Sequence, residues 1–103
     1  MAKREIIDTL KKYIILLQSE GVLIDKVFLY GSYLSDSAND ESDIDLMIVT
    51  ENEEDDYLAG KVWSLTRKVD SKIEPYIVEK NRFYSDENSP LIKLVKSTGL
   101  EIA

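Results

Sequence analysis

Two short apolar runs, residues 27–30 and 44–49, lie on either side of a polar stretch of turn-forming residues, 35–42. Runs of this length, bounded by glycine or polar residues, are typical of buried β-strands. A third run covers residues 73–78, and Pro75 inside it removes one backbone donor from any strand ladder. The pattern therefore predicts a small sheet whose third strand lies at an edge.

Amphipathic segments surround these strands. Residues 4–20 repeat apolar side chains at three- and four-residue spacing and end at Gly21. A second helix follows the acidic residues 51–56, which suit a first helical turn. A third begins after Asn88-Ser89 and ends at Gly99. The side chains predicted to face inward are Ile6, Ile7, Leu10, Tyr13, Ile14 and Leu17, then Leu58, Val62, Leu65 and Val69, then Leu91, Leu94 and Val95.

The resulting order is α-β-β-α-β-α, with residues 100–103 as a terminal extended segment. This order predicts an α+β fold class, with a small mixed sheet of three core strands covered by helices. The chain has 103 residues, which suits a single domain over residues 1–103. No apolar run approaches the ~20 residues of a membrane span. The first residues lead into a charged amphipathic pattern, so a cytoplasmic protein that does not insert into membranes is expected.

The chain contains neither histidine nor cysteine. Disulfides, zinc–thiolate sites, imidazole metal sites and nucleophiles activated by histidine are therefore excluded within it. The net charge is −7, with 13 basic and 20 acidic residues. Loose binding to nucleic acid depends on many Lys and Arg contacts, so a nucleic-acid partner is not expected. An acidic surface is compatible with divalent cations or with a basic partner.

Two aspartates open the second strand, in the segment Ser42-Asp43-Ile44-Asp45-Leu46. Because side chains alternate along a strand, Asp43 and Asp45 share one face, about 6.6 Å apart. Carboxylates so placed repel each other unless a cation lies between them, and such hard oxygen ligands favour Mg²⁺ or Mn²⁺. An EF-hand is excluded, because no register offers its acidic ladder with the central glycine. A solvated strand start remains the alternative for an isolated Asp-x-Asp.

Two further features are predicted to converge on the aspartates. Gly31-Ser32 ends the first strand, where glycine lets the backbone approach a ligand and a following short helix would offer N–H groups to phosphate. If the first two strands are antiparallel neighbours, both motifs lie at the same end of the sheet. A helical crossover then starts the third strand parallel to the second, which brings Glu74 to that end. Viewed alone, Glu74 is more often simply an exposed residue beside Lys72, and it gains weight only from this convergence.

At these residues the sequence resembles the minimal nucleotidyltransferases of the DNA polymerase β superfamily. The family pattern of Gly-Ser, a loop and Ser-Asp-x-Asp-Leu stands here as Gly31-Ser32, residues 33–41 and residues 42–46. The resemblance implies that Asp43 and Asp45 bind two divalent metals, Mg²⁺ or Mn²⁺, and that Glu74 completes this catalytic site. It also implies that Gly31 and Ser32 bind the phosphates of a nucleoside triphosphate.

The sequence departs from the family pattern in three ways, and one of them is that it lacks the glycine that family members commonly carry ahead of the acidic pair. Family members commonly carry Arg or Lys in the short helix after Gly-Ser, whereas residues 33–36 here are Tyr-Leu-Ser-Asp. The third carboxylate is Glu74 rather than an aspartate, and Asp70 is a second candidate for that role. These departures bear on catalysis more than on fold.

The resemblance implies a metal-dependent transferase that moves a nucleoside monophosphate from a nucleoside triphosphate, with ATP as the expected donor, to an acceptor. Similar small chains are often the antitoxin of nucleotidyltransferase/HEPN toxin–antitoxin pairs, which implies a HEPN-type toxin as protein partner and a toxin tyrosine as acceptor. Homo- and hetero-oligomers both remain open. The alternative is a degenerate binding module of the same fold that neutralises its partner by contact. A sugar-nucleotide transferase with an Asp-x-Asp motif fits poorly, because its usual sheet needs a longer chain.

Overall fold

The first helix, α1 (Lys3–Ser19), buries one apolar face, as its spacing predicts. The computed structural model describes residues 3–34 and 42–103. The buried residues of α1 are Ile6, Leu10, Tyr13, Ile14 and Leu17. The helix ends just before Gly21, whose φ of 92° lets the chain reverse so that the Val22 N–H donates to the Leu17 carbonyl at 3.0 Å. The predicted stop at Gly21 is therefore confirmed.

Four strands form one sheet in the order β3-β2-β1-β4. They are β1 (Ile24–Tyr30), β2 (Ile44–Thr50), β3 (Ile73–Glu79) and β4 (Leu100–Glu101). β1 and β2 are antiparallel, and β2 and β3 are parallel. Both predicted directions are confirmed, and Pro75 does lie on the edge strand β3. β4 falls in the predicted extended segment, and its antiparallel pairing with β1 makes it a fourth strand.

Both faces of the sheet are buried, each against its own helices. One face packs on α1 and on α2 (Asp56–Thr66), and its strand residues include Val27, Leu29, Ile44, Leu46, Ile48 and Ile73. The other face packs on α3 (Lys80–Ser85) and α4 (Pro90–Thr98), through Phe28, Met47, Val49 and Val78. Alternation along each strand assigns its residues to the two cores in turn. The predicted α+β fold class with a mixed sheet is confirmed.

Side-chain caps start two of the helices. The Asp55 carboxylate accepts a hydrogen bond from the Leu58 N–H at 2.7 Å at the start of α2. The Ser89 hydroxyl accepts one from the Ile92 N–H at 3.2 Å ahead of α4, with Pro90 in the first turn. The acidic run of residues 51–56 therefore supplies one cap and one first-turn residue, Asp56, while its earlier members precede the helix.

The structure also differs from the sequence predictions at α3 and at Leu94. Helix α3 was not predicted, because it has six residues and buries only Phe83, too few for a periodic pattern. Leu94, predicted to face inward, is 49% exposed, while Ile92 and Val95 are buried. Four apolar residues fall among positions 91–95, so the helix cannot turn all of them toward the sheet.

Among the described residues, no helix is long and apolar enough to cross a membrane.

Candidate active site at the end of the sheet

One row of side chains crosses three strands at the end of the sheet where β1 stops and β2 and β3 begin. Asp45 on β2 pairs with Tyr30 on β1 and with Glu74 on β3. Along each strand, the neighbours of these three residues are buried against α1 and α2. The three side chains therefore lie on the other face of the sheet, the face that packs on α3 and α4 further along the strands. Asp43 precedes β2 by one residue. The structure thus brings the predicted acidic residues to one end and one face.

Gly31 follows this row directly and lies against Asp45. Its φ is 82°, a conformation that L side chains rarely adopt. A Cβ added at Gly31 would overlap the Asp45 carboxylate oxygen Oδ2 and stand 3.0 Å from its Cγ. Glycine is therefore required here both for the backbone conformation and for the space that the Asp45 carboxylate occupies.

Ser32 lies in the turn that Gly31 begins. The Leu34 N–H donates to the Gly31 carbonyl at 3.1 Å, which closes the turn. Ser32 itself is half-buried. The rest of the predicted short helix and most of the predicted polar loop fall in residues 35–41, outside the described residues.

The carboxylates of the site interact closely enough to change their titration. A hydrogen bond with the Asp43 carboxyl raises the pKa of Glu74, and burial and the charges of Asp43 and Asp45 raise it further. Burial raises the pKa of Asp45, with a second contribution from the charge of Asp43. Two carboxyl groups can share a hydrogen bond only when one of them holds a proton. The raised pKa values therefore show that negative charge is unfavourable at this end of the sheet when no cation is bound.

Two tyrosines that were not among the predicted site residues border the carboxylates. Burial raises the pKa of Tyr30 to about 12, and the charges of Asp45 and Glu74 add to the rise. Tyr76 follows Glu74 by two residues, on the same face of β3, and is exposed at the strand's edge. The alternation that placed Glu74 would have found Tyr76. Tyr30 could be found only from the strand register.

The donor chemistry of the site suits a hard divalent cation. Within residues 3–34 and 42–103, no three acidic side chains are already arranged as a metal-binding cluster. Asp43 instead shares a hydrogen bond with Glu74. Burial is the main cause of the raised pKa of Asp45, and the hydrogen bond is the main cause for Glu74, but repulsion among the carboxylates adds to both. A cation would relieve that repulsion, and carboxylate oxygens are the ligands that Mg²⁺ prefers. The residues present therefore fit such an ion by charge and donor type.

Asp70, the second candidate for the third carboxylate, lies in the turn ahead of β3. Its carboxylate accepts a hydrogen bond from the Lys72 N–H at 2.9 Å, and its carbonyl accepts one from the Ile73 N–H at 3.1 Å. These contacts give Asp70 a structural role in starting β3.

Among the described residues, Arg82 and Lys72 have contacts that place them near this part of the molecule. Arg82 contacts the Glu54 carboxylate at 3.2 Å and donates to the Tyr76 hydroxyl at 3.1 Å, so it is already neutralised. The Lys72 carbonyl accepts from the Ile44 N–H at 2.8 Å, which places Lys72 beside the first residues of β2. In the described part of the chain, the Lys72 ammonium makes no ion pair. Lys72 is thus the cation that backbone pairing brings to the carboxylate end of the sheet.

Residues 5–96 match the family described as "Polymerase beta, Nucleotidyltransferase". No curated protein matches the chain significantly.

Several solved structures share the fold. A toxin–antitoxin structure with AMP-PNP superposes with a TM-score of 0.66 at 19% identity, over 94% of this chain and 72% of the other. A protein from Sulfolobus solfataricus described as a nucleotidyltransferase gives a TM-score of 0.61 at 13% identity, over 92% and 77%. A mutant of the MntA–HpeT toxin–antitoxin pair, with two aspartates changed to glutamate, gives 0.62 at 20% identity, over 90% and 70%. At these identities the likeness establishes the fold alone.

Proposed function

Because the chain belongs to the polymerase beta nucleotidyltransferase family, we propose that it transfers a nucleoside monophosphate from a nucleoside triphosphate to a hydroxyl group of a partner protein, with a divalent metal. The observation that carries the proposal is the row of Tyr30, Asp45 and Glu74, with Gly31 set against the Asp45 carboxylate. An acidic cluster and a glycine turn at one sheet end can hold a cation and a phosphate together.

Each residue of the site has a distinct part in this proposal. Asp43 and Asp45 would hold Mg²⁺ or Mn²⁺, with Glu74 completing the site. The bound ion would neutralise phosphate charge and favour in-line displacement. Gly31 and Ser32 would bind phosphate oxygens, and Lys72 would add the positive charge that residues 33–36 do not supply.

The transfer itself makes one bond and breaks one. The acceptor oxygen bonds to the α-phosphorus while the bond from that phosphorus to the bridging oxygen breaks, and pyrophosphate leaves. Glu74 would take the proton of the acceptor hydroxyl. Its position on the strand next to Asp45 suits that part, because a base must lie within reach of the proton that it takes.

The structural neighbours support ATP as the donor and a protein as the acceptor. One of them is a toxin–antitoxin structure with AMP-PNP, an analogue of ATP, and another is a toxin–antitoxin pair. Following the resemblance to the antitoxins of nucleotidyltransferase/HEPN pairs, we propose a HEPN-type toxin as the partner, with a tyrosine of that toxin as the acceptor. The net charge of −7 would favour a partner with a basic surface.

A second candidate function is neutralisation by contact alone. Two observations favour it: residues 33–36 contain no cation, and Arg82 is held by Glu54 and Tyr76. A protein that acts this way need bind neither metal nor nucleotide.

The test uses purified protein, ATP labelled at the α-phosphate and Mg²⁺, with and without the cognate partner. We expect the label on the partner, and we expect the double variant Asp43→Ala with Asp45→Ala to abolish it while still folding. The matched control, Glu5→Ala with Asp8→Ala, changes two exposed acids on α1 and should label normally. Labelling by the double site variant at the wild-type rate would exclude the metal-site mechanism. Neutralisation of the partner without any labelling would establish the contact function instead.

A further inference from the structure

A hollow of about 440 Å³ lies between the turn after β1 and helix α4. Among the described residues, its lining consists of Gly31, Leu34, Leu94 and Thr98. Leu94 leaves about half of its side chain open, although the same helix buries Ile92 and Val95. The hydrogen of the Thr98 hydroxyl is already donated to the Leu94 carbonyl at 2.8 Å. The hollow therefore offers mainly apolar contact.

The hollow adjoins the candidate active site at Gly31. That residue lines the hollow and also lies against the Asp45 carboxylate. A ligand with a polyphosphate at Gly31 and the carboxylates could therefore place an apolar part against Leu34 and Leu94. Nucleotides have this combination of a charged end and a flat, weakly polar end.

The position of the hollow within the sheet distinguishes donor from acceptor. The row of site residues runs from Tyr30 on β1 through Asp45 on β2 to Glu74 on β3. Glu74, which takes the acceptor's proton in the proposed function, lies on the β3 side. Gly31 and the hollow lie on the β1 side, away from the acceptor. The hollow therefore belongs to the donor nucleotide.

We infer that this hollow holds the nucleobase of the donor nucleotide, an assignment that rests on the proposed function. Base selection by hydrogen bonding requires fixed donors and acceptors aimed at the base edges. Leucine side chains provide contact area instead. The four common nucleoside triphosphates should consequently bind with affinities within about tenfold of one another, since only contact area separates them.

The experiment compares Mg²⁺–ATP with Mg²⁺–tripolyphosphate, which has the phosphates but no base. Leu94→Gln keeps the side-chain length and removes apolar contact, so it should weaken ATP binding about five- to tenfold and leave tripolyphosphate binding unchanged. Leu94→Met should retain the wild-type ATP affinity. Leu23→Gln is the matched control, since Leu23 is 55% exposed beside the opposite end of β1, and it should change neither affinity.

The outcomes separate this assignment from the proposed function. Unchanged ATP affinity in Leu94→Gln, with tripolyphosphate still bound, would overturn the base site and leave the transferase proposal intact. Preference for one base by more than about a hundredfold would overturn recognition by apolar contact. Failure of the wild-type protein to bind either probe would overturn both proposals together.

Discussion

The Asp45 carboxylate occupies the space that a Cβ at residue 31 would need, so residue 31 must be glycine for the carboxylate to lie there. Gly31 directly follows β1, Asp45 lies on the adjacent antiparallel strand β2, and the carboxylate fills the position that any larger residue would need. The glycine of the phosphate-binding turn therefore also supports the orientation of an acidic residue in the proposed metal site. Backbone conformation and site geometry are coupled at this pair.

Gly31→Ala should consequently damage both stability and ligand binding. The positive φ costs about 1–2 kcal/mol for an L side chain, and the new methyl group must displace the Asp45 carboxylate. We expect a lower free energy of unfolding in urea and a loss of Mg²⁺–ATP affinity of about tenfold or more, because a small misplacement in such a site has a large effect.

Two other glycines provide controls for this variant. Gly21 also has a positive φ, but nothing lies within 4 Å of an added Cβ. Gly21→Ala should therefore reduce stability without changing nucleotide affinity. Gly60 lies inside α2 with open space around it, so Gly60→Ala should stabilise the protein by up to about 1 kcal/mol. Equal nucleotide affinity in Gly31→Ala and Gly21→Ala would show that the Asp45 contact is unimportant.

Asp45→Asn should separate metal binding from folding. Burial and the nearby charge of Asp43 raise the pKa of Asp45, so its ionised form destabilises the metal-free fold at neutral pH. We expect the variant to melt at a higher temperature than the wild type in EDTA. Mg²⁺ at a hundredfold excess over Kd should stabilise the wild type by about 2.7 kcal/mol, and most of that gain should be lost in Asp45→Asn.

The control for this experiment is Asp8→Asn, which removes an exposed charge from α1. It should retain the full response to Mg²⁺. The same response in Asp45→Asn would indicate that Mg²⁺ acts by general screening of the net negative charge.

Lys72→Gln tests the cation beside the carboxylates. If the ammonium binds phosphate, its loss should weaken Mg²⁺–ATP and Mg²⁺–tripolyphosphate binding by a similar factor, about tenfold or more for a charge-assisted hydrogen bond. Lys11→Gln, an exposed position on α1, should bind both probes normally. Titration calorimetry would measure the four affinities. Unchanged binding in Lys72→Gln would exclude this lysine from the phosphate site.

Tyr13→Phe tests a buried hydrogen bond between α1 and α2. The Tyr13 hydroxyl donates to the Val62 carbonyl at 2.6 Å in the core, so its removal should reduce stability by about 1 kcal/mol. Burial raises the pKa of Tyr13 above its usual 10.0. Below pH 10 the neutral Tyr13 makes its full contribution to the free energy of unfolding. Above pH 10 the unfolded chain ionises first, so the free energy of unfolding falls by about 1.4 kcal/mol per pH unit.

The measurement for this prediction is urea unfolding from pH 7 to pH 11. The wild type should lose stability above pH 10 more steeply than Tyr13→Phe, so the two curves should converge. Parallel curves over this range would show that Tyr13 ionises alike in the folded and unfolded chains.

Features that depend on local periodicity were predictable from the order of the residues alone. Alternation placed Asp43 and Asp45 opposite Ile44, and helical spacing identified the buried face of α1. Pro75 indicated an edge strand, because an outer strand can lack a backbone donor. The motif formed by Gly31-Ser32 and the Asp pair is enough to indicate the family. These features needed only neighbouring residues.

Contacts between segments that are distant in the sequence depend on the fold. Strand register set Tyr30 and Glu74 on either side of Asp45, and no local pattern specifies a register. Packing against the second core formed α3 and left Leu94 open at the edge of the site. Local patterns can be read from the sequence because side-chain direction repeats every two residues in a strand and about every 3.6 residues in a helix. Strand pairing and helix rotation are instead set by which apolar surfaces can be buried together in the folded chain.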